Sequence, residues 1–187
     1  EAEPLMQRAI DISKKDLGTS HPDVISNQND LGMVYAEQMR DAEAAELMSL
    51  DKCAEYAASV KEKGDYARAK LYFAKALEKA EKLGPNDLAM ALNNLAKNYL
   101  AENKFDEAEP LLRREIDIRV KEFGPSHPQT IASKDELGAL YANQGKEEKA
   151  AELLSWDRRT EYGIKAAGKG EYVKARLFFT ENLHEAE

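Results

Sequence analysis

Residues 91–118 read "ALNNLAKNYLAENKFDEAEPLLRREIDI". Leu95, Ala96 and Tyr99 share one face at helical spacing, and after the polar stretch around Asn103 the pair Ala108 and Leu112 does the same. The pattern predicts two helices joined by a short turn. Each carries a small residue where the other must touch it.

The same theme recurs on either side. Leu31-Gly32 with Tyr35 and Leu137-Gly138 with Tyr141 match Leu95-Ala96 with Tyr99. The second helix of each pair carries a small residue and a bulky one four positions on: Ala2 and Met6, Ala44 and Met48, Ala69 and Phe73, Ala108 and Leu112, Ala150 and Leu154, Ala175 and Phe179. A longer period overlies this one. Shifted by 106 residues, the segments 1–81 and 107–187 pair "EAEPLMQRAIDI" with "EAEPLLRREIDI" and "GDYARAKLYF" with "GEYVKARLFF", and roughly 37 of 81 positions are identical. The chain is read as a duplication.

These residues resemble the tetratricopeptide repeat, whose Leu-Gly, Tyr, Ala and Phe positions run across a helix-turn-helix unit. The segments 91–118 and 123–130 are more narrowly similar to the longer repeats of kinesin light chain and its bacterial relatives. The resemblance covers nearly the whole chain. It implies an all-α solenoid of antiparallel helix pairs in a right-handed superhelix, with the first helix of each pair lining a concave side. The chain opens on "EAEP" without Met and closes on "HEAE". We expect one repeat array over 1–187, cut from a longer protein.

Residues 123–130, "FGPSHPQT", recur at 17–24 as "LGTSHPDV". Gly suits a helix C-cap, Ser or His an N-cap, and Pro a first turn whose N–H has no helical partner. The stretch reads as a connector, with a ligand role for His21 or His127 as the weaker alternative.

Two units are too short. The small residues Gly32, Ala57, Ala96, Gly138 and Gly163 stand 25, 39, 42 and 25 positions apart, where a usual repeat needs about 34. With no Gly or Pro between Arg40 and Lys63, a single helix of about 22 residues could run from 41 to 62. Against that, Ser49 and Asp51 recur as Ser155 and Asp157, a helix-start signal that favours a break near Ser49. The irregular step is either an old deletion copied with its surroundings or a change of curvature that shapes a partner site.

Composition limits the chemistry. The 35 acidic against 27 basic residues give a net charge of −8, which disfavours nucleic acid. No run approaches the roughly 18 apolar residues of a membrane span, and no signal peptide opens the chain. The lone Cys53, beside Ala54, Tyr56 and Ala57, reads as a buried helix face in a cytoplasmic protein. His21 and His127 have no partners at metal-ligand spacing, His184 stands near the end of the chain, and no phosphate loop or nucleophile triad is evident. We expect no cofactor, no metal and no enzymatic activity. Tyr35, Tyr99, Tyr141, Phe73 and Phe179 are expected in the core, and Trp156, opposite Leu50 of the other copy, is expected to pack near the irregular step.

If the first helices line a groove, Asn93 and Lys97 face it one turn apart, with Asn29 and Met33, Ala54 and Ala58, Asp135 and Ala139, and Thr160 and Ile164 at matching positions. Amides among small residues suit an extended peptide or protein segment. Some family members clamp a C-terminal carboxylate with Lys and Asn on adjacent helices, and only Asn93 and Lys97 resemble that. The alternatives are a scaffold that associates end to end and a regulatory array attached to an effector domain.

Overall fold

A computed structural model describes residues 2–184, with side chains to 180. The outer ends of the duplicated segments, including the His184 side chain, fall outside it. Among the described residues the fold is all-α: α1 (Ala2–Leu17), α2 (Pro22–Glu37), α3 (Asp41–Leu47), α4 (Leu50–Glu62), α5 (Tyr66–Ala80), α6 (Pro85–Ala101), α7 (Phe105–Phe123), α8 (Pro128–Asn143), α9 (Glu147–Leu153), α10 (Trp156–Gly168) and α11 (Tyr172–His184). Two compact units divide the chain, 1–102 and 103–187. In the first, α4 packs on α5 and α6 while α3 packs on α5; in the second, α8 packs on α7 and α9, and α11 on α9 and α10.

Contact between paired helices is set by small residues. A Cβ on Gly32 would lie 2.8 Å from Met48 Cγ and 3.1 Å from the Ala44 carbonyl. On Gly138 it would lie 2.7 Å from Leu154 Cγ, and on Gly163 2.7 Å from the Phe179 ring. Met48 and Leu154 are buried, and so are Ala44, Ala69, Ala108, Ala150, Phe73 and Leu112. Two of the expected pairs differ. Ala2 is exposed, and Phe179, although it lies on Gly163, is 38% exposed while its neighbour Phe178 is buried. Its counterpart Phe73 is buried in α5, which α6 also covers.

The irregular step is a break. Helix α3 stops at Leu47 after 7 residues, Met48 turns to extended backbone, and Ser49 caps α4 by accepting from Lys52 N–H at 3.2 Å. The second copy repeats this with Leu154 extended and Ser155 before α10. Lys79 Nζ donates to the carbonyls of Glu46 (2.9 Å) and Met48 (2.6 Å), which satisfies acceptors that the short helix leaves open. The connectors follow their expected roles: His21 and His127 accept through Nδ1 from Asp23 and Gln129 N–H, Pro22 and Pro128 open the next helices, and Gly124 ends α7 at φ 88°. Trp156 departs from expectation. It is 56% exposed at the first position of α10.

Ion pairs tie the short helices to their neighbours. Asp41 Oδ1, at the start of α3, accepts from Arg68 Nε and Tyr72 OH, each at 2.7 Å. Arg68 also donates to the Ala36 carbonyl. In the second copy Lys174 pairs with Glu147 at 2.8 Å. Burial pushes the Asp41 carboxyl up, but the bonds from Arg68 and Tyr72 and the Arg68 charge outweigh it and hold the group below its usual range.

These contacts set three measurable outcomes. Gly138→Val should lower stability in urea unfolding by about 1–3 kcal/mol through overpacking, with part of the loss recovered when Leu154→Ala is added. Met39, at φ 61° where the other copy has Gly145, holds a backbone that disfavours side chains; Met39→Gly should raise stability by up to about 1 kcal/mol. The lowered Asp41 carboxyl contributes stability that is present above its unfolded value near pH ~3.9 and lost as the pH falls through the lower folded value. The stability of Asp41→Asn should therefore fall less between about pH 5 and pH 2 than that of the parent, a range set about the same reference value.

Candidate functional site

The seven groove positions lie on first helices: Asn29 and Met33 on α2, Asn93 and Lys97 on α6, Asp135 on α8, and Thr160 and Ile164 on α10. They are not equally available. Asn29 Oδ1 accepts from Ser49 N–H at 2.7 Å, so it holds the start of α4. Asp135 does more at the same place in the second copy: its two oxygens accept from Ser155 N–H at 2.6 Å and Ser155 Oγ at 2.8 Å. Thr160 Oγ1 donates to the Trp156 carbonyl one turn back. Met33 and Asn93 are half-buried, Lys97 is exposed, and Ile164 is 63% exposed.

On the first unit, Asn93 and Lys97 sit one turn apart on α6, which also packs against α4 with its half-buried Ala54 and exposed Ala58. Asn29 and Met33, on α2, belong to the same unit. The second unit contributes a separate patch of Thr160 and Ile164 on α10.

Sequence reasoning missed a polar brace that recurs in both copies. Glu3 accepts from Tyr35 OH at 2.9 Å and from Arg40 at 3.0 Å; Glu109 accepts from Tyr141 OH at 2.9 Å and from Arg113. Hydrogen bonds from Tyr35 and Arg40 lower the Glu3 carboxyl, and the bond to Glu3 raises the Tyr35 phenol. The repeated "EAEP" was the available signal, but only the fold brings its second Glu to the tyrosine of the next helix. A further network belongs to the second unit alone: buried Glu115 accepts from Ser133 Oγ at 2.7 Å and from Arg119 Nε at 2.8 Å, where the other copy has Ala9, Asn27 and Ser13.

Cys53 donates weakly to the Ala45 carbonyl, and burial pushes its thiol up to about 11, far from a reactive thiolate. Among the described residues no three His, Cys, Asp or Glu gather as metal ligands, and no helix is long and apolar enough to cross a membrane.

A family model described as "Tetratricopeptide repeat" matches residues 53–119 and 87–156, more than half of the chain. The chain belongs to the tetratricopeptide repeat family. Solved structures agree on the fold. The nearly identical TPR-like repeats of a candidate kinesin light chain from Podosopora anserina align with TM-score 0.59 and 21% identity, over 87% of this chain and 94% of that one. A point variant of those repeats aligns with TM-score 0.55 and 24% identity, over 90% and 87%. BtubC (BKLC) from P. vanneervenii aligns with TM-score 0.54 and 15% identity, over 98% and 89%. No curated protein gives a significant match. Tetratricopeptide repeats generally mediate or scaffold protein–protein contacts, and folds of this kind are typically non-enzymatic.

If Asn29 and Asp135 serve the framework, Asp135→Ala should cost about 1.5–3 kcal/mol in urea unfolding, the scale of hydrogen bonds to a charged acceptor. Asn29→Ala should cost about 1 kcal/mol, and Ile164→Ala should stay within about 0.5 kcal/mol as a surface substitution.

Proposed function

We propose that this segment is a non-enzymatic protein-binding module that takes an extended peptide or protein segment along its first helices. The observation that carries the reading is the placement of Asn93 and Lys97 one turn apart on α6, a helix that packs against α4, which carries the small residues Ala54 and Ala58. The Asn93 amide suits a peptide backbone, the small residues leave space for side chains, and the Lys97 ammonium favours an acidic or C-terminal group. Met33 lies on α2 of the same unit, where Asn29 holds Ser49; the matching positions of the second unit are Thr160 and Ile164, with Asp135 holding Ser155. The net charge of −8 argues against nucleic acid as the ligand, and a single buried cysteine fits a cytoplasmic setting.

Affinity capture from lysate with the parent chain and with Asn93→Glu/Lys97→Glu, both checked by circular dichroism, tests the reading. A partner held by the parent and lost by the charge-reversed form supports the groove. Equal capture by both overturns the groove assignment, and concentration-dependent self-association of the chain would favour the scaffold reading instead.

A further inference from the structure

The two copies are near-identical in plan, so each serves as a control for the other. They differ in chemistry at the corner where a short second helix begins and the next helix pair closes over it. In the first copy Arg68 fills this corner: its guanidinium pairs with Asp41, donates to the Ala36 carbonyl and lies 5.4 Å from the Tyr56 ring centre. In the second copy the corresponding space is a cleft of about 180 Å³ between the end of α8, α10 and the start of α11.

The substitutions that separate the two corners all act in one direction. Arg68 becomes Lys174, Val60 becomes Ala166 and Tyr72 becomes Phe178, which removes the planar fork, two methyl groups and a hydroxyl from the space. Glu37 becomes Asn143 and Ser59 becomes Lys165, while Lys63 is kept as Lys169. The charged positions that line the cleft thus change from Glu37, Asp41 and Asp65 against Lys63 and Arg68 to Glu147 and Glu171 against Lys165, Lys169 and Lys174. The charge of the lining moves from −1 to +1 in a chain whose overall charge is −8.

Lys174 is tied to both acids, at 2.8 Å from Glu147 and 3.6 Å from Glu171. No carboxylate lies within ion-pair distance of Lys165 or Lys169 among the described residues. The two lysines stand one turn apart at the end of α10, beside the Asn143 amide and over a floor of half-buried Tyr162 and buried Phe178. Opening of the space and gain of unpaired positive charge coincide at one corner and in one copy.

We infer that this cleft in the second unit is a binding subsite for an anionic side chain of a peptide, a carboxylate or a phosphorylated hydroxyl, with Lys165 and Lys169 as the charged contacts and Asn143 as the amide donor. It lies on α8, α9, α10 and α11, and its residues are distinct from Asn93 and Lys97 on α6.

The test is a titration of the ¹⁵N-labelled chain, followed by amide shifts, with capped pentapeptides Gly-Ala-X-Ala-Gly in which X is Glu, phosphoserine or Lys. The Glu or the phosphoserine peptide should give saturable shifts at amides 143, 165 and 169, and much smaller ones at 37, 59 and 63 of the first copy. Which of the two binds tighter distinguishes carboxylate from phosphate as the ligand. The Lys peptide should give none. Lys165→Ser, which installs the residue the first copy already carries, should weaken binding about fivefold, the scale of one partly exposed charge contact. Rebuilding the first-copy lining with Lys165→Ser, Ala166→Val, Lys174→Arg and Phe178→Tyr should abolish it. Equal shifts in both copies, shifts that do not saturate, or binding unchanged by Lys165→Ser would overturn the inference. Shifts confined to residues near Asn93 and Lys97 would overturn it too, while leaving the proposed groove intact.

Discussion

The structure depends on how closely paired helices approach. Where Gly32 faces Met48 and Gly138 faces Leu154, the gap leaves no room for a Cβ in its present arrangement, and the bulky partner rests on the backbone of the first helix. That contact is what a helix of only 7 residues can use. Alone, α3 and α9 are too short to be stable in water, where isolated helices below about 12 residues are marginal. They persist because one end is pinned by an ion pair, Asp41 with Arg68 or Glu147 with Lys174, and the other by the buried Met48 or Leu154.

This explains how the chain accommodates a repeat of unusual length. A shortened second helix would leave its final carbonyls and the next helix's first N–H groups without partners. Lys79 takes the former in the first copy, and Ser49 with Asn29 takes the latter. In the second copy Asp135 bonds both the N–H and the hydroxyl of Ser155, so the same junction is held by different side chains. The junction has the same geometry in both segments although its side chains differ.

Much of the fold was legible because it rests on local spacing. The Leu, small residue and Tyr of first helices, the Ala and bulky residue of second helices, the His-Pro connectors and the Ser49 helix start are each read within one turn of chain. What was not legible depends on contacts between helices. Nothing local shows that Glu3 reaches Tyr35, that Arg68 reaches Ala36, or that Asn29 is engaged with Ser49. Trp156 and Phe179 were misjudged for a related reason: position in the repeat predicts the face a residue occupies, while burial depends on which helix covers that face. The candidate groove was readable as a set of positions, but its division into framework and surface residues required hydrogen-bond partners.

The most direct test of this account is native-state hydrogen exchange of the amides in α3 and α9. If helix approach at Gly32 and Gly138 and the flanking ion pairs hold the short helices, their internal amides should be protected nearly as well as those of α2 and α8 and should open with them. Exchange of α3 and α9 at the rate of an unstructured peptide, while α2 and α8 remain protected, would contradict it.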